Sequence, residues 1–267
     1  MASKDYTQDG LLYCGACNKP KQMRINVFSD EHIVSVMCDC EVEEKEKERR
    51  EWEDKQEEIR ISNLRVNSIQ DRERRKCRFE SAEMTANLEK CQKYVNNWEE
   101  MRKNNIGLLM WGTCGNGKSF AAACIANALT DKGIPTMMTS FPTILSDQNN
   151  TMEIARQMRD FELVILDDLG AERQSQYALE KVFYIIDERY KSGKPLIVTT
   201  NLSLDLMKKY RKGDTQSGSS FGEIQDYSRI YDRVLEMCVA MHFDKQSRRE
   251  QPVRDKAKVM KEAFAER

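Results

Sequence analysis

The stretch GTCGNGKSF, residues 112–120, narrows what this chain can fold into more than any other feature of the sequence. It follows the apolar run IGLLMW and precedes AAACIANAL. Gly112, Gly115 and Gly117 let the backbone curl until its N–H groups converge on an anion. Lys118 reaches the outer phosphates of a nucleotide, and the Ser119 hydroxyl suits Mg²⁺. Thr113, Cys114, Asn116 and Phe120 complete the loop, Cys114 as a small filler. The helix that follows is rich in Ala and free of breakers, and it aims its N-terminus at the same point. A buried-type strand before the loop and a good helix after it are the context a phosphate cradle needs. We therefore expect ATP with Mg²⁺ here.

From residue 106 onward, short apolar runs alternate with helical patterns. Strands are expected at IGLLMW, IPTMMTS, ELVILDD, KPLIVTT and MCVAMHF. Helices are expected over 118–131, 141–160, 175–191, 203–211 and 223–236, followed by a polar C-terminal helix. This alternation predicts an α/β fold with a parallel sheet covered by helices on both faces. The Gly/Ser-rich KGDTQSGSS, 212–220, reads as a mobile loop.

Three further pieces carry chemistry. LVILDDLG, 163–170, ends an apolar strand in two acids. Asp167 stands where it can hold Mg²⁺ through water, and Asp168 where it can orient or deprotonate an attacking water. The bland alternative is a carboxylate pair opening a turn. PLIVTTNLS is another buried strand, ending on Asn201. In the additional-strand class of P-loop ATPases such a residue lies between the two motifs and contacts the γ-phosphate or its water; otherwise it caps the next turn. In SRIYDRVLEMC, Arg229 and Arg233 lie one helical turn apart on a shared face. Either could stabilise charge on a neighbouring subunit's phosphate, or simply be solvated. No guanine-reading NKxD is present, which disfavours a GTP switch.

Ahead of this region lie two zones of different composition. Residues 1–40 carry Cys14-x-x-Cys17 and Cys38-x-Cys40, two close thiol pairs that can close a tetrahedron around zinc. The segment between them reads as a β-hairpin turning near SDEH, and His32 is the alternative for one ligand. So short a segment builds little core, and zinc would replace it. Residues 41–78 read as a charged helical linker with i,i+4 pairs such as Glu41–Lys45 and Glu46–Arg50. Its end, RERRKCR (72–78), reads as a surface cluster. Cys77, Cys91, Cys124 and Cys238 lack partners and read as packed thiols. Residues 79–267 form the ATPase domain.

With 33% charged residues but a net charge of −1, the chain has no global basic field, so DNA contact needs a local patch. No apolar stretch approaches a membrane span and the N-terminus lacks the centre of a signal peptide, so a cytoplasmic protein without membrane contact is expected.

In order, CGAC…CDC, GLLMWGTCGNGKS, AAACIANAL, ILDDLGAER, ALEKVFYIIDERYKSGKPLIVTTNLS, RIYDRVLEMC and SRRE make the chain closely resemble the DnaC-type AAA+ helicase loaders, in forms common to phages and firmicutes. The resemblance spans nearly the whole length and is weakest in the linker. It implies an ATPase that binds the replicative DNA helicase, helps place it on single-stranded DNA, and assembles with like subunits when ATP-bound. By position, Asn201 would be the first sensor, Arg233 the arginine finger and Arg249 the second sensor. Many AAA+ proteins have Glu at the place of Asp168, and the shorter side chain implies slow turnover. The sister family IstB shares the ATPase core, which leaves an ATPase helper of a DNA transposase as the alternative. A nucleotide-gated zinc adapter without meaningful hydrolysis is a third reading.

Overall fold

A computed structural model describes residues 4–28, 30–147, 150–170, 176–214 and 221–244. Arg249, the polar C-terminal helix and most of the Gly/Ser-rich loop lie outside the described residues. The chain divides into two compact units, Met1–Arg60 and Ile61–Arg267.

In the smaller unit, β1 (Tyr6–Gln8) and β2 (Leu11–Tyr13) pair antiparallel, and so do β3 (Gln22–Val27) and β4 (Asp30–Ser35). Val27 faces Asp30 across the expected hairpin turn. Helix α1 (Asp39–Ser68) begins in this unit and ends in the larger one. Arg49–Glu53 and Arg50–Glu46 form i,i+4 pairs along it, each worth only ~0.3–0.5 kcal/mol on an exposed face. Glu41 departs from its expected pairing with Lys45 and takes Lys21 at 2.8 Å. The helix stops at Ser68 instead of running to residue 78. Arg75 folds back and donates to Val66 O at 2.9 Å and to Ile69 O, satisfying carbonyls that a helix end leaves open. Ile69 and Phe79 are buried in the core of the larger unit.

That larger unit runs α2 (Ala86–Asn96), α3 (Trp98–Lys103), β5 (Gly107–Trp111), α4 (Lys118–Asp131), β6 (Thr136–Ser140), α5 (Phe141–Ser146), α6 (Thr151–Gln157), β7 (Leu163–Leu169), α7 (Gln176–Ser192), β8 (Leu196–Thr200), α8 (Leu204–Arg211), α9 (Phe221–Met237) and β9 (Cys238–His242). The five strands form one parallel sheet in the order β6-β7-β8-β5-β9. Because both faces are covered, β7 and β8 are buried nearly throughout, and their first residues are apolar. One face packs on α2 and α4 through Leu88, Cys91, Ile125 and Leu129. The other packs on α5, α7 and α9 through Ile144, Val182, Ile186 and Val234. The single helical stretch expected over 141–160 is two helices, since Asp147 leaves helical geometry with ψ 77°.

At the N-terminal ends of β7 and β8, Arg189 of α7 is fully buried and donates to four carbonyls, those of Met158, Phe161, Glu162 and Pro195. Burial pulls its pKa down to about 10, still well above neutrality.

Candidate nucleotide site and cysteine cluster

The C-terminal ends of β5, β7 and β8 meet where a parallel α/β sheet places its ligands. Between β5 and α4, Gly112 has φ +140°, and a Cβ there would sit 2.3 Å from Phe243 O. No other residue fits so close an approach. Asn116 fixes the loop from the side, donating to Thr113 Oγ1 and Phe243 O at 2.8 Å each. Gly117, at φ +89°, opens α4 with open space beside it. Lys118 is only 5% exposed, and its Nζ donates to Gly112 O and Thr113 O at 2.8 Å and to Asn201 Oδ1 at 2.9 Å. The cation expected to meet phosphate and the polar residue expected to sense it thus lie in direct contact.

The two acids take different surroundings. Asp167 is fully buried; its Oδ1 accepts from Thr199 Oγ1 at 2.5 Å, and Arg74 Nη1 lies 2.6 Å from its Oδ2. Asp168 holds φ +60°, a left-handed conformation uncommon outside Gly, Asn and Asp. The β7–β8 register shifts between Leu166 and Leu169 at this point, and the Asp168 N–H donates to Thr199 Oγ1 at 3.0 Å. Such strain of order 1–3 kcal/mol persists where surrounding contacts enforce it. Here it turns Asp168 out of the sheet into a cleft of about 670 Å³, shared with Cys114, Gly115, Ser119, Phe120 and Asn201. That volume suits a nucleotide-sized ligand. Hard oxygen donors from Ser119, Asp167 and Asp168 suit magnesium in kind.

Two residues of this site escaped the sequence reading. Thr199 was visible only as one of two hydroxyls ending an otherwise apolar strand, which a buried position obliges to find partners. Arg74 stood in a cluster read as surface, yet its side chain reaches Asp167. Cys77, read as a packed thiol, also lines the cleft.

Arg233 is engaged within its own chain. Its Nη2 lies 2.8 Å from Asp187 Oδ1, and its guanidinium stacks 4.5 Å from the Phe183 ring centroid. Arg229, on the same helix face, is exposed and stands 5.6 Å from that ring.

In the smaller unit, the ligand atoms of Cys14, Cys17, Cys38 and Cys40 all lie within 4.8 Å of one another. A tetrahedral zinc site with bonds of ~2.3 Å needs sulfurs about 3.8 Å apart, so the set fits with a small contraction. His32, the alternative ligand, is exposed on β4 and is not part of the cluster. Cys14 closes the first turn, donating its N–H to Lys19 O and accepting from Asn18 N at 2.9 Å each. Amide donors from Cys40 and Lys19 draw the Cys17 thiol down to about 6, while that neighbouring sulfur and burial push Cys40 up to about 12. Cys38 and Cys40 both resist ionisation in this setting, and a cation is what would let them shed protons.

The family model for IstB-like ATP binding proteins matches residues 25–256. The replicative helicase loader DnaI of Bacillus subtilis (strain 168) is 25% identical over 163 residues, covering 58% of this chain and 51% of that protein. The replicative helicase loader DnaC of Escherichia coli (strain K12) is 26% identical over 130 residues, covering 46% and 52%. The chain thus spans about half the length of these relatives. Among solved structures, a crystal structure of DnaI matches with TM-score 0.54 at 19% identity, covering 68% of this chain and 96% of that one. A crystal structure of the DnaC helicase loader matches with TM-score 0.51 at 22% identity, covering 65% and 99%. These two share the fold. No helix among the described residues is long and apolar enough to cross a membrane.

Proposed function

The chain belongs to the family of IstB-like ATP-binding proteins, and from that premise we propose that it is an ATP-dependent loader that binds a replicative DNA helicase and delivers it to single-stranded DNA. The observation that carries the reading is the junction of Lys118, Asn201 and the Asp167–Asp168 pair where β8 is inserted between β5 and β7. That insertion puts a sensing residue beside the phosphate cradle, which a machine timing a handover requires and a metabolic kinase does not. Lys118 and the loop N–H groups hold the phosphates, and Ser119 with Asp167 holds Mg²⁺. Asp168 orients the attacking water, and Asn201 reads the outer phosphate. Magnesium, when bound, neutralises charge that develops on the transferred phosphoryl. Arg233 acts on a neighbouring subunit's nucleotide after leaving Asp187, and Arg249 on its own. Cys14, Cys17, Cys38 and Cys40 hold one structural zinc, and the unit they organise grips the helicase.

The names of the two similar loaders favour this reading over the transposase helper. Affinity purification of the tagged full chain in the presence of ATP and Mg²⁺ tests it. A replicative helicase is expected to copurify, and its loading onto single-stranded DNA should require ATP. Recovery of a transposase instead would establish the alternative.

A further inference from the structure

We propose that Arg74 is a built-in counter-cation for Asp167 which magnesium has to displace, so that Arg74 sets the magnesium requirement of nucleotide binding. The proposal rests on the reading of Asp167 as the magnesium carboxylate.

A fully buried carboxylate needs compensation, because charge taken out of water is costly unless paired. Asp167 has two partners. Thr199 donates a hydrogen bond to Oδ1, and Arg74 approaches Oδ2 at 2.6 Å without hydrogen-bond alignment. The first partner comes from a core strand and is fixed. The second is a long side chain, 27% exposed, on a single 3-10 turn (Arg74–Lys76). That geometry belongs to a partner that can leave.

The turn is firmly held even though the side chain is not. Asn127 of α4 donates its amide to both Arg74 O and Cys77 O at 2.8 Å, anchoring the backbone to the helix that carries Lys118 and Ser119. Arg74 lines the same cleft as those residues. It also has somewhere to go, since Asp71, another cleft residue, already lies 3.4 Å from its Nε. A dication and a guanidinium cannot both rest on one buried carboxylate without strong repulsion. By rotating toward Asp71 and the phosphates, Arg74 would free Asp167 to hold magnesium. The partner that Arg74 takes would thus report whether metal-bound nucleotide is present.

The test measures binding of a fluorescent ATP analogue to the full chain as Mg²⁺ is titrated. Arg74→Gln is expected to lower the half-saturating Mg²⁺ concentration about fivefold or more, within the usual range for coupled sites. Arg74→Lys, which keeps the charge, should stay near wild type. Asp71→Asn removes the landing partner and should raise the requirement, and it decides the matter if Arg74→Gln does not fold. An unchanged or higher requirement in Arg74→Gln, or an unchanged one in Asp71→Asn, overturns the proposal. Asp167→Asn separates the two levels of the argument. If it keeps the wild-type Mg²⁺ dependence, the assignment of Asp167 itself fails. If it loses that dependence while Arg74→Gln behaves as wild type, only the displacement idea falls.

Discussion

The candidate nucleotide cleft and the cysteine cluster, each suited in kind to a charged guest, are built in opposite ways. Around the cleft, the core is complete without a ligand: β5, β7 and β8 are almost wholly buried, and the site residues hang from their ends. Before Arg60, the only buried apolar side chains among the described residues are Cys14 and Cys38. Met23, Val27, Phe28 and Ile33 stand exposed on or beside the hairpin. One region carries its site on a core, whereas in the other the site is the core. Loss of ligand should therefore silence the first and dismantle the second.

The largest effect that could break this contrast is metal removal. Cys14→Ser, or chelation of the wild type, should abolish the fold of the hairpin unit, since structural zinc contributes roughly 10–16 kcal/mol in small domains. Amide exchange read along the chain should show loss of protection confined to residues before about 60. Retained protection there would mean the unit stands without its cluster. Next in size is Arg233→Ala, which should leave ATP binding nearly intact and reduce hydrolysis by ~10³-fold if the residue works as an arginine finger. Mixing it with Lys118→Ala chains should restore turnover that neither shows alone. If mixing restores nothing while wild-type chains associate and hydrolyse, the pairing with Asp187 is its whole role, and the exposed Arg229 becomes the candidate.

Lys118→Ala should weaken ATP binding roughly 10- to 100-fold, the worth of hydrogen bonds from a charged donor. The larger unit should still fold, at a cost of about 1–3 kcal/mol for the acceptors left without a donor, which sharpens the contrast with Cys14→Ser. The smallest effect belongs to Thr199→Val. It leaves Asp167 without its hydroxyl donor and the Asp168 N–H without its acceptor, and should cost ~1–3 kcal/mol in chemical denaturation. A cost near zero would mean that Asp168 keeps its left-handed geometry by other means.

What could be read in advance follows from the range of the forces involved. The phosphate loop, the acid pair and all five sheet strands are written in local patterns of apolar runs, glycines and terminal polar residues. The strands appear where expected, within a residue or two. The place of Asn201 just past the end of β8 was legible for the same reason. Arg74, Thr199 and the partner of Arg233 were not, because each depends on a residue brought close only by tertiary folding. Glu41 makes the point in miniature: helical spacing offered Lys45, and the folded hairpin offered Lys21 instead. Charge patterns name the possible partners, and packing chooses among them.

Arg189 has a mechanical consequence. By tying the starts of β7 and β8 to the end of α6 through four carbonyls, it clamps one end of the sheet as a beam is built into a wall. A push delivered at the opposite end, where Lys118 meets Asn201, cannot be absorbed by strands slipping past one another at the clamp. The two strands must tilt together, and the displacement grows with distance from the fixed end. Any such tilt would therefore be smallest at Arg189 and largest at the C-terminal ends of β7 and β8, beside Asp168 and Asn201.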